Sequence, residues 1–240
     1  MRRRLGRRWS RRGFYPKLLI AAFVGVVGFN LGTQNAGADQ IFTPPPGTWN
    51  YHIIYLSQAC HDGNDGMPGG PCIPNIGCNN MDENQQSAAA TYHATFGWGV
   101  GLNLLERGYQ SVVGTGTLSQ NVNSSNAVGA DLHVPVHSNA VESFDCGVQL
   151  STYGTKVFYI STNGGTCANH LRQTVGAASP GSSDTKHWSN GLGELTNTNA
   201  VACYLETDFH TWNTGASFVS TSLHWTWRIG YAVDLYFGYP

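Results

Sequence analysis

The sequence predicts an α/β fold: a single domain built as a three-layer arrangement, with a mostly parallel mixed sheet flanked by helices. Two observations predict it. Short runs rich in β-branched and aromatic residues alternate with longer stretches of helical character, the pattern of repeated βα units. Gly, Ser and Thr fill the connections, two of which (59–82 and 176–199) are long enough to suggest functional rims rather than linkers. At 240 residues the chain has room for one domain of ordinary size and a tail, and it carries no internal repeat.

The first segment reads as an address. MRRRLGRRWSRRGFYPK is followed by an apolar run from Leu18 to Leu31 and then by Ala36-Gly37-Ala38 ahead of Asp39. This is the order of a secretory signal peptide over residues 1–38. Within it, Ser10-Arg11-Arg12-Gly13-Phe14 resembles the twin-arginine export signal. An apolar run of about 14 residues falls short of the roughly 20 that span a bilayer. A mature chain beginning near Asp39 is therefore expected, secreted in preference to held by an uncleaved anchor. Six cysteines in an exported chain suggest disulfides. They allow about 15 complete pairings, of which Cys72–Cys78, closing the small loop PCIPNIGC, is locally favoured.

Residues 39–50 form a Pro-rich lead-in, and the single folded domain is expected over 51–240. Strands are predicted at 51–57, 109–114, 131–137, 154–160 and 200–206. A helix is expected from near Glu83 to Arg107, stopped by Gly108. Further helices are expected at 165–176 and at about 215–235. Eight of the 13 Lys and Arg lie in the first 17 residues, while all 14 Asp and Glu lie at or beyond Asp39. The body thus holds five cations against 14 acids, which argues against a nucleic-acid partner.

In open α/β sheets, ligands bind outside the carboxyl ends of the strands. His61 follows the first predicted strand, His137 closes the third, Glu206 closes the fifth, and Glu83 begins the helix after the first loop. Two His and one carboxylate form a known zinc set with an open fourth position. A second carboxylate can then serve as general base and acid. Polar loop edges in general provide the plainer account of the same residues.

Other constellations carry less. No H-E-x-x-H motif is present. His133 and His137 are four apart, but on a strand this separates them by about 13 Å, too far to share one ion; His133 reads as structural. Cys60 and His61 are chain neighbours that point to opposite sides of an extended backbone. His170, His187 and His210 stand in no recognisable pattern for pairing with a nucleophilic Cys. The aromatics from Trp212 to Tyr239 read as core packing of a terminal helix, with a sugar groove as the other reading.

Beyond spacing, residues 51–212 resemble the zinc-dependent N-acetylmuramoyl-L-alanine amidases (amidase type 3), in the family's own order. IIYLSQACHDG is similar to the strand-loop that carries a ligand His, here His61. Glu83 in MDENQQS matches the ligand Glu at the head of a helix, with Asp82 as an adjacent alternative. GADLHVPVHSNA resembles the segment in which an ADL strand ends at the second ligand His, here His137. GTKVFYIS is similar to a later strand, and AVACYLETDFH to the strand that ends in the catalytic Glu, here Glu206, with Glu194 as an alternative. Cys60 replaces the small residue usual before the first ligand, Asp62 follows it in place of Gly, and an Arg expected after the second strand is absent from VVGTGT.

The resemblance implies a Zn2+ cofactor held by His61, Glu83 and His137, with Glu206 as general base. It implies hydrolysis of the amide between N-acetylmuramic acid and the L-Ala of the stem peptide. Peptidoglycan is then the partner, in wall remodelling, cell separation or lysis. Two other readings keep the fold: a non-catalytic peptidoglycan-binding protein, and a zinc hydrolase of another amide.

Overall fold

The computed structural model describes residues 39–58, 103–114, 116–140, 150–220 and 225–239. Seven strands form one sheet in the order β1-β3-β2-β4-β7-β5-β6. They are β1 (Gln40–Phe42), β2 (Ile53–Gln58), β3 (Gln110–Gly114), β4 (Leu132–Asn139), β5 (Lys156–Tyr159), β6 (Thr185–Trp188) and β7 (Val201–Phe209). The central strands β3, β2, β4 and β7 run parallel. β1 is antiparallel to β3, and β5, itself parallel to β6, is antiparallel to β7. The mixed, mostly parallel sheet is the one the sequence predicted.

Five helices among the described residues cover it: α1 (Leu118–Val128), α2 (Thr162–Thr174), α3 (Gly193–Thr196), α4 (Asn213–Ser220) and α5 (Trp227–Phe237). Strand alternation sorts side chains to two faces. Leu132, Val134 and Val136 of β4, with Cys203 and Leu205 of β7, join Leu171 of α2 and Ile229 of α5 in the main core. Ala202 and Tyr204 face the other way, into a smaller cluster with Leu195 of α3. The second face is the thinner and more polar of the two.

Several expectations shift at their edges. The lead-in contributes β1, whose Gln40 pairs with Val113. The stretch 103–107 is a turn ending at Gly108; the rest of the helix expected from Glu83 lies outside the described residues. The helix expected at 165–176 begins earlier, because Ser161 caps it by accepting the amide hydrogen bond of Gly164. The terminal helix is two helices, α4 and α5. Trp212 and Trp225 are buried, whereas Tyr231 and Tyr239 are exposed, so only part of the terminal aromatic set packs the core.

β6 and α3 lie within the 176–199 connection expected to be a loop, and α1 lies in a stretch for which no element is expected. α1 is announced by its ends: Thr117 and Gln120 form a reciprocal capping box, and Gly129 stops the helix at φ 67°. Its body, LSQNVNSSNAV, lacks the apolar stripe that ordinarily signals a helix. Among the described residues, no helix is long and apolar enough to cross a membrane.

Candidate functional site

Strand pairing alone brings His137 and Glu206 together. β4 and β7 are adjacent and parallel, and His137 is the register partner of Glu206. The two residues therefore start about 4.8 Å apart on one face of the sheet. Across β7, Glu206 is also the register partner of Lys156 on β5. A His, a Glu and a Lys thus form a row across three strands near the carboxyl ends of β4 and β7. Both strands run past the residues expected to close them, to Asn139 and Phe209.

Around His137 the packing is tight. Its ring stacks on Tyr204 with centroids 4.5 Å apart, and Thr207 Oγ1 donates to its carbonyl at 3.1 Å. His137 is 4% exposed and Glu194 is 1% exposed. Glu194 Oε2 lies 3.8 Å from His137 Nε2, and Glu194 Oε1 lies 3.5 Å from His133 Nε2. His133 stacks on Tyr55, with centroids 5.2 Å apart. The two histidines that backbone spacing keeps from one ion instead meet one carboxylate. Glu194 reaches them from α3, over the thin face of the sheet.

At the end of β7, His210 Nδ1 is hydrogen-bonded to Ser138 Oγ at 2.9 Å, and the His210 amide donates to the Asn139 carbonyl. Burial disfavours its imidazolium and lowers its pKa to about 4, so the ring is neutral at neutral pH. The Lys156 ammonium donates to Ser183. Burial lowers its pKa, opposed by Asp184 and Asp208.

His61 and Glu83, the other expected ligands, lie outside the described residues, as do Asp82 and the Cys60, Cys72 and Cys78 positions. The start of their segment is nevertheless placed: Gln58, the last residue of β2, pairs with Val136, the neighbour of His137. Among the described residues, no group of three or more His, Cys, Asp or Glu side chains is arranged to hold a metal ion. The described part of the set does suit zinc, because a carboxylate behind a ligand His is the usual second shell of such sites. One disulfide is described, Cys167–Cys203, tying α2 to β7.

Sequence reasoning weighed Glu194 only as an alternative to Glu206, and found no role for His210 or Lys156. A usable signal existed for Glu194: His133 and His137 share a strand face, and buried histidines on one face call for a polar partner.

No protein-family model and no curated protein matches the sequence. Solved structures do match. The catalytic domain of CwlV, an N-acetylmuramoyl-L-alanine amidase from Bacillus (Paenibacillus) polymyxa var. colistinus, aligns at TM-score 0.59 and 13% identity, over 79% of this chain and 99% of that one. The N-acetylmuramoyl-L-alanine amidase AmiC2 of Nostoc punctiforme aligns at 0.59 and 14%, over 78% and 97%. The Mycobacterium smegmatis amidase Ami1 aligns at 0.58 and 12%, over 80% and 99%. The chain therefore has the fold of N-acetylmuramoyl-L-alanine amidase catalytic domains.

Proposed function

We propose that this protein is an exported, zinc-dependent hydrolase of peptidoglycan that cleaves the amide between N-acetylmuramic acid and the L-Ala of the stem peptide. Residues 1–38 would serve as the export signal and 51–240 as the catalytic domain. The observation that carries the reading is the register pairing of His137 with Glu206, near the carboxyl edge of a sheet with the amidase fold.

His137 would hold the metal with His61 and Glu83, the latter two supplied by the segment that leaves the sheet beside Val136. When bound, zinc supplies Lewis acidity, polarising the scissile carbonyl and making water a better nucleophile. Glu206 accepts the proton of the attacking water and later delivers it to the L-Ala nitrogen as the amide breaks. Glu194 Oε2, 3.8 Å from His137 Nε2, and Tyr204, stacked on its face, confine the His137 ring. The products are a free stem peptide and a glycan strand bearing lactyl carboxylates.

Metal analysis coupled to muropeptide mass spectrometry tests the reading. Wild type is expected to carry about one zinc per chain and to free stem peptides from intact glycan. His137→Ala should lose both. An unaltered muropeptide profile from zinc-loaded wild type would leave a wall-binding protein, and release from a non-wall peptide alone would point to another amide.

A further inference from the structure

We infer that a cavity at the opposite edge of the sheet is a second glycan-binding site, specific for strands whose muramic acids carry free lactyl carboxylates. The inference rests on the peptidoglycan reading, because hydrolysis there is what exposes those carboxylates.

β5 runs antiparallel to β7, so the carboxyl ends of β5 and β6 lie at the edge away from those of β4 and β7. A cavity of about 680 Å³ opens there, between the first turns of α2 and the end of the β5–β6 pair. That is the size range of small-ligand sites. Its lining includes Tyr159, Thr162, Thr166, Asn169, Lys186 and Trp188.

Trp188 is 58% exposed, yet its indole is not loose. Nε1 donates to the Ile160 carbonyl at 3.0 Å, which anchors the ring by its edge. An indole fixed in this way is a preformed platform for the C–H face of a pyranose, which meets the negative π-face of the ring. The Thr162 hydroxyl, the Thr166 oxygen, whose proton goes to the Thr162 carbonyl at 3.4 Å, and the Asn169 amide N–H groups, whose Oδ1 accepts from Arg172 at 3.3 Å, supply donors and acceptors for sugar hydroxyls and acetamido groups. Gly165 lets the first turns of α2 approach the Tyr159 ring closely, since an added Cβ would stand 3.0 Å from it.

Charge selects among glycans. The body carries five cations and 14 acids, but the cavity lining holds one lysine and no carboxylate. Lys186 is exposed, with its ammonium 3.2 Å from the Gly165 carbonyl and 5.4 Å from the Tyr159 ring centroid. It keeps donors for an anion. On the glycan itself, one ether link from the pyranose that stacks on Trp188, that anion is the lactyl carboxylate, which is masked as an amide until the stem peptide is removed; the carboxylates of a stem peptide lie further from the sugar. The site therefore binds product-type glycan on a surface separate from the scissile bond and holds the enzyme on strands it has already stripped.

Calorimetric titration of the full chain tests this with two probes: a peptide-free GlcNAc–MurNAc tetrasaccharide, and chitotetraose, which lacks the carboxylate. Wild type is expected to bind the first more tightly. Trp188→Ala should weaken both by about tenfold or more, as loss of a central aromatic anchor does, and Lys186→Gln should weaken only the first. Thr166→Trp, which fills the cavity from the exposed side of α2, should block binding even if Trp188→Ala folds poorly. Glu206→Gln should bind normally. Turnover of soluble N-acetylmuramoyl-L-Ala-D-isoglutamine is measured on the same proteins, and Trp188→Ala should leave it intact. Binding that survives both Trp188→Ala and Thr166→Trp overturns the site, as does equal affinity for the two glycans. Binding lost in those variants, with no turnover by any protein, keeps the site and removes the amidase reading.

Discussion

Glu194 Oε2 lies 3.8 Å from His137 Nε2, in a pocket where both residues are almost fully buried. A buried carboxylate beside a ligand imidazole fixes its orientation and raises its basicity, and losing such a partner costs about 10- to 100-fold in metal affinity. Glu194→Gln is therefore expected to bind zinc that much more weakly, measured by chelator competition on purified protein. Unchanged affinity would assign Glu194 to packing with His133 alone.

Glu206→Gln should separate metal from chemistry. The variant keeps the shape of the side chain and loses the proton acceptor. Zinc content is expected to stay at the wild-type level while muropeptide release falls by about 100- to 10,000-fold, the usual worth of a general base. Full turnover with zinc retained would move the base elsewhere, to Glu194 first.

His210 makes stability depend on pH in a predictable direction. Burial lowers its pKa from the ordinary 6.5 to about 4 in the folded protein. The unfolded chain therefore takes up a proton between these values that the folded chain refuses. The contribution of neutral His210 is complete above pH 6.5 and lost as pH falls toward 4, by up to about 3 kcal/mol. His210→Gln should flatten the melting temperature across that window. A slope equal to the wild type's excludes His210 as its source.

Asp234 anchors the last helix to the turn before β3. Its carboxylate accepts the Tyr109 hydroxyl at 2.9 Å and pairs with Arg107. Removing one member of a buried pair costs about 3–5 kcal/mol. Asp234→Ala should lose that much in urea unfolding, and Asp234→Asn, which keeps an acceptor for Tyr109, should lose less. Equal losses would mean that the charge pairing with Arg107 carries the anchor and the acceptor for Tyr109 adds nothing.

The Cys167–Cys203 bridge closes a separation of 36 residues. Loop-closure entropy makes such a link worth about 4 kcal/mol. A Cys167→Ala/Cys203→Ala double variant should unfold at correspondingly lower denaturant, with its m-value rising as the unfolded chain expands.

The strands were legible because each central one is a short apolar run bounded by turn residues, and burial on both faces leaves little else it can be. β6 was not legible: TKHW sits at the edge, largely exposed, and is held by pairing with β5 rather than by its own pattern. The single terminal helix expected at 215–235 became two, since residue-level periodicity cannot see where Trp225 must turn inward to reach the core. The locally favoured Cys72–Cys78 pair lies outside the described residues, and the described bridge joins residues that no local rule connects.

By itself, the sequence determined the α/β class, the mostly parallel sheet and the placement of His137 and Glu206 near strand ends, because two-residue alternation and turn chemistry are local properties. Tertiary structure alone decided that Glu206 is the neighbour of His137, that Glu194 serves both His133 and His137, and that Trp188 stands over an open cavity. Strand order, crossover and helix docking bring together residues far apart in the chain, and those choices follow from how the whole core packs.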